Sequence, residues 1–138
     1  MRTESRCLLV IPHYKDTERL QPFLEELLHT LDCNFSILVS DDGSGGEYFS
    51  RLKELINAKA GQTHGATGFP EILEPITTAE NRGKGAAVYA GWAAAGEKFD
   101  ILAFADADGA VSAPEILRAR NYFCANLHTV DLIIGSRI

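Results

Sequence analysis

Cys7-Leu8-Leu9-Val10-Ile11 is an unbroken apolar run, closed by Pro12 and followed by His13-Tyr14. A strand with one wet face alternates polar and apolar residues; this stretch does not. It therefore reads as a strand buried on both faces, as in a parallel sheet. Working outward, Leu20, Leu24, Leu27, Leu28 and Leu31 fall at helical spacing. Pro22 is expected in the first turn of that helix, where a missing N–H costs little. Residues 35–39 read as a second strand, ending in the turn-rich Asp41-Asp42-Gly43-Ser44-Gly45-Gly46. Tyr48, Leu52, Leu55 and Ile56 mark a second helix, and residues 61–70, with three Gly and a Pro, an exposed loop.

Farther along, residues 71–76 read as a short strand and the Ala-rich residues 84–96 as a helix. Residues 100–105 predict a strand that runs into Asp106-Ala107-Asp108-Gly109. Pro114 opens a last helix, with Ile116, Tyr122, Phe123 and Leu127 expected on its inner side. Residues 130–134 are expected to form a closing strand. Strands that alternate with helices predict an α/β fold: a mostly parallel sheet with flanking helices and right-handed crossovers.

The chain has 138 residues, 46% hydrophobic and 23% charged, which is the composition of one globular domain. Thirteen Lys and Arg against nineteen Asp and Glu give a net charge of −6. That balance argues against sequence-independent nucleic-acid binding, which needs clustered cations. No apolar run is long enough to span a membrane, and the N-terminal one is too short for a signal-peptide core. Cys7, Cys33 and Cys124 form neither a metal-ligand spacing nor a disulfide framework. They fit a reducing cytoplasm.

In open α/β sheets, ligands bind beyond the carboxyl ends of the strands. Four polar clusters directly follow expected strands: Pro12-His13-Tyr14, Asp41-Asp42-Gly43-Ser44, Asp106-Ala107-Asp108 and Gly135-Ser136-Arg137. A fifth, Asn81-Arg82-Gly83-Lys84-Gly85, precedes a helix. All five are expected at one edge. Asp106 and Asp108, with one small residue between them, suit a shared hard divalent cation; a turn or cap role is the plainer alternative. Asp42 suits a base N–H or a ribose hydroxyl, with Asp41 turned back to hold the loop; a solvated turn is the alternative. The cations and glycines of residues 81–85 suit an anion at a helix start, though not in the P-loop pattern. His13, taken alone, reads as incidental.

The ordered series Ile11-Pro12-His13-Tyr14, Asp41-Asp42-Gly43-Ser44, Asn81-Arg82-Gly83-Lys84-Gly85, Asp106-Ala107-Asp108-Gly109-Ala110 and Gly135-Ser136-Arg137 resembles family 2 glycosyltransferases of the GT-A fold. It is most similar to the polyprenyl-phosphate branch, which includes dolichyl-phosphate β-glucosyltransferase and dolichol-phosphate mannosyltransferase. The resemblance extends from Leu8 to Arg137. It implies a nucleoside-diphosphate sugar of the UDP-glucose or GDP-mannose class as donor, and inverting transfer to a polyprenyl or dolichyl phosphate. It implies that Pro12, Tyr14, Asp41, Asp42, Lys84 and Asp106 bind the nucleotide sugar. Asp106 and Asp108 would hold Mg²⁺ or Mn²⁺. No catalytic base is nominated.

Ser40 stands where the family usually has an apolar residue. The expected organisation is one nucleotide-sugar-binding domain over residues 1–138, cut short before an acceptor-binding part. Its expected place is the cytoplasm, at the cytoplasmic face of a membrane reached through further sequence. Two rival readings remain. One is a nucleotide- or metal-binding module without turnover. The other is a phosphatase of the haloacid-dehalogenase type, because Ile101 to Val111 resembles its first motif.

Overall fold

The computed structural model describes residues 5–134. The chain runs β1 (Cys7–His13), α1 (Thr17–Thr30), β2 (Phe35–Asp41), α2 (Gly46–Thr63), β3 (Glu71–Ile72), β4 (Ile76–Thr77), α3 (Lys84–Ala95), β5 (Ile101–Phe104) and α4 (Ala113–Ala125). A short 3-10 turn, Gly96–Lys98, joins α3 to β5. The sheet order is β3-β2-β1-β5, with β4 also on β2, and every pairing is parallel.

β1 and β2 are central and buried at every position, which is why their sequences lack alternation. Their register runs from Cys7 opposite Phe35 to His13 opposite Asp41. One sheet face packs Leu9, Ile11, Ile37 and Val39 against Leu20, Phe23, Leu24 and Leu27 of α1, Leu52 and Ile56 of α2, and Ile116 of α4. On the other face Leu8, Val10 and Leu38 meet Trp92 and Ala95 of α3. Gly91 lets α3 approach closely, since a Cβ there would lie 2.7 Å from a Val10 methyl.

Several boundaries depart from expectation. α1 begins at Thr17, so Pro22 lies inside the helix rather than in its first turn. Just before that start the His13 ring receives the Asp16 N–H, and it lies 3.2 Å from Thr17 Oγ1. α2 extends to Thr63, which shortens the following loop. The expected strand over 71–76 is split into β3 and β4 by Leu73-Glu74-Pro75, since Pro75 has no N–H to give a ladder. Tyr122 and Leu127 are exposed rather than inward, leaving Ile116 and Phe123 to face the core. Residues 130–134 form no strand, and Leu132 and Ile134 lie open to solvent. An apolar run becomes a strand only against a paired edge, and no ladder reaches it among the described residues. Gly135-Ser136-Arg137 lies outside the described residues.

Candidate functional site

The carboxyl ends of β1, β2 and β5 and the start of α3 enclose a cleft of about 290 Å³. Its walls are Pro12, His13, Tyr14, Asp16, Asp42, Lys84, Asp106, Ala107 and Asp108. The structure thus joins residues from four of the five clusters. Parallel strands force this: each strand must end on the same side, so the loops after β1, β2 and β5 share one edge.

The two consecutive aspartates after β2 have different tasks. Asp41 is fully buried and does not line the cleft. Its carboxylate accepts from His13 Nδ1 at 2.8 Å, Ser44 Oγ at 2.6 Å, Ser44 N at 3.0 Å and Thr77 Oγ1 at 2.7 Å. Burial pushes this carboxyl upward, but the bonds from Ser44, Thr77 and His13 outweigh it and hold the group below the usual carboxylate range. Asp42 reaches the cleft wall, yet is also occupied. It accepts from Arg82 N and Gly83 N, both at 2.8 Å, and from Asn81 Nδ2 at 3.2 Å. Asp42 thereby fastens the loop before α3 to the end of β2. Gly43 makes this approach possible: its φ is +69°, and a Cβ would come within 2.4 Å of the Glu80 backbone.

His13 is the residue that sequence reading missed. It is 1% exposed, and its ring bridges two structural units. Nε2 receives the Asp16 N–H at 3.2 Å, so the proton sits on Nδ1 and is donated to Asp41. The next two residues are therefore held at both ends. Lys15 adopts a left-handed φ of 51°, donates its N–H to Ser44 Oγ, and sets its ammonium 5.2 Å from the Tyr14 ring and 5.5 Å from that of Tyr48. Tyr14 is half-exposed at the cleft. The available clue was position: His13 follows a fully apolar strand, where a polar ring must find partners.

Asp106 and Asp108 also line the cleft, both partly open to solvent. Asp106 Oδ1 lies 2.9 Å from Lys84 Nζ. Asp108 Oδ1 accepts the Ala110 N–H at 2.9 Å, and its Oδ2 lies 3.8 Å from Arg19. No group of three or more His, Cys, Asp or Glu gathers to hold a metal among the described residues. Two hard carboxylates still fit Mg²⁺ or Mn²⁺, because such ions are commonly held by one or two carboxylates and completed by water and substrate phosphate. Among the described residues no helix is long and apolar enough to cross a membrane.

Residues 8–137 match the family model for Glycosyl transferase family 2. Over 117 residues the chain is 33% identical to "Dolichyl-phosphate beta-glucosyltransferase" of Mus musculus, covering 78% of this chain and 32% of the relative. It is 30% identical to the Homo sapiens protein of the same name over the same share of each. The chain thus spans about a third of the length of these relatives. The family match also removes the phosphatase reading of Ile101 to Val111. The family match extends over almost every residue, and the parallel sheet and its cleft agree with it: the chain belongs to glycosyl transferase family 2.

Proposed function

We propose that these residues form the donor-binding part of a hexosyltransferase that takes a nucleoside-diphosphate sugar of the UDP-glucose or GDP-mannose class. The acceptor is a polyprenyl phosphate, dolichyl phosphate by the names of the mouse and human relatives. A lipid acceptor would put the reaction at a membrane surface, and the cytoplasmic face is the side proposed. The observation that carries the reading is the convergence of Pro12, Tyr14, Asp42, Lys84, Asp106 and Asp108 on one cleft in a member of this family.

Each residue has a task. Tyr14 and Pro12 offer an aromatic face and a rigid wall to a base. Asp42 keeps the 81–83 loop against the cleft and presents its carboxylate edge to the nucleoside. Asp41, with His13, Ser44 and Thr77, holds the loops that carry Tyr14 and Asp42. Lys84 supplies positive charge to the phosphates. Asp106 and Asp108 would hold Mg²⁺ or Mn²⁺, which when bound neutralises charge on the departing diphosphate.

Calorimetry with UDP and with GDP, each with and without Mn²⁺, tests this. Metal-dependent binding of one of them is expected. Equal binding without metal would remove the roles of Asp106 and Asp108, and no binding of either nucleotide would remove the donor site. Binding without any donor hydrolysis or transfer would leave a module that holds the nucleotide without turnover.

A further inference from the structure

Lys84 occupies the first position of α3, where the helix end is itself positive and no acidic residue lies in the first turn. A cation there is unfavourable unless an anion faces it. The facing anion is Asp106, whose Oδ1 is 2.9 Å from Nζ. This is the ion pair of Lys84 among the described residues. Asp108, the other carboxylate, has a basic side chain near it too, but a differently held one. Arg19 lies 3.8 Å from Asp108 and is anchored by Nε to Asp16 at 2.8 Å. Arg19 can therefore stay where it is, while Lys84 is held, among the described residues, by Asp106 alone.

Resting on the reading of Asp106 and Asp108 as the cation-holding pair, we propose that Lys84 is an exchangeable counter-ion. It neutralises Asp106 when the cleft is empty, and it is released to the donor diphosphate when a divalent cation takes Asp106. Like charges cannot share one carboxylate oxygen at contact distance without strong repulsion. Nor is the existing pair hard to break. Both partners are about half exposed, at 58% and 43%, and such pairs contribute little. The released ammonium stays on a helix start whose backbone N–H groups also favour an anion. Cation and diphosphate therefore bind with positive coupling. Each removes a cost that the other would otherwise meet, and the coupling is reciprocal.

The test is Mn²⁺ binding by the 138-residue chain, followed by electron paramagnetic resonance of the free ion. It is run without nucleotide and again with UDP and with GDP, on the unchanged protein, Lys84→Gln and Arg82→Gln. Arg82 is a neighbouring cation whose guanidinium lies 3.7 Å from Glu80. Without nucleotide, Lys84→Gln is expected to bind Mn²⁺ about three- to tenfold tighter, because a charge that competes for Asp106 is gone. With nucleotide the order reverses, and Lys84→Gln binds more weakly than the unchanged protein. Arg82→Gln changes nucleotide-free binding by less than about twofold. Exchange is overturned if Lys84→Gln binds Mn²⁺ alone no tighter, or if Arg82→Gln matches it, which would mean a general field. Complete absence of Mn²⁺ binding in every sample would instead bring down the cation reading beneath the proposal, and the proposal with it.

Discussion

Asp41 and Asp42 are adjacent in the chain, yet their carboxylates bind opposite parts of the molecule. Asp41 holds His13 of β1 and Thr77 of β4, while Asp42 holds the backbone of Arg82 and Gly83 before α3. Successive residues at a strand end point to opposite faces, so one dipeptide can serve two loops. The cleft owes its shape to this division.

Replacing Asp42 by Asn should therefore loosen the 81–83 loop. One acceptor oxygen becomes an N–H donor facing a backbone N–H, that of Arg82 or that of Gly83. Charge-assisted bonds are lost, and nucleotide affinity should fall at least about tenfold, or ~1.4 kcal/mol. Titration of the variant with UDP and GDP beside Mn²⁺ decides it; unchanged affinity would show that the loop needs no such anchor.

Asp41 predicts the acid side of the stability curve. Its carboxyl sits below the ordinary value when folded, because the bonds from Ser44, Thr77 and His13 outweigh its burial. As pH falls, the unfolded chain takes the proton first. The stabilisation is thus complete above the ordinary aspartate value, and is lost as pH drops below it and through the folded one. Asp32 beside Arg120 is lowered as well, so it shares this limb. In Asp41→Asn, denaturation midpoints measured from pH 6 down to pH 2 (about the span of aspartate titration) should fall less steeply than in the unchanged chain. An identical slope would exclude Asp41 as a contributor.

Two glycine and serine substitutions should have opposite signs. Gly43→Ala meets the Glu80 backbone and a φ of +69°, so a loss of about 1–3 kcal/mol is expected. Ser40 is fully buried, and its hydroxyl has no hydrogen-bond partner among the described residues. Ser40→Ala should then be neutral or stabilising by up to ~1 kcal/mol. Urea midpoints for the pair provide the comparison, and a destabilised Ser40→Ala would reveal a bond at that hydroxyl.

Thiol reactivity should separate the cysteines. Burial pushes the Cys7 thiol up to about 12, partly offset by the nearby Arg120, whereas Cys33 is exposed. A thiolate-selective reagent at neutral pH should label Cys33 quickly and Cys7 only on unfolding. Fast labelling that survives Cys33→Ser and maps to Cys7 would contradict the burial of β1.

The sequence by itself determined the parallel α/β architecture and the edge that carries the cleft. Apolar runs without alternation reveal strands buried on both faces, and polar clusters at their ends can go to one side only. It also singled out Pro12, Tyr14, Asp42, Lys84, Asp106 and Asp108, all of which reach that cleft. Tertiary structure alone decided how those residues are used. The bond from His13 to Asp41 spans 28 positions, from Arg82 to Asp42 40, and from Lys84 to Asp106 22. Each depends on strand register and on where a helix lands across the sheet. A one-dimensional pattern carries a period but no register, so it showed His13 as a lone histidine and residues 130–134 as a strand. The same limit hid the withdrawal of Asp41 from the cleft, because burial of a charge is settled by the donors that surround it.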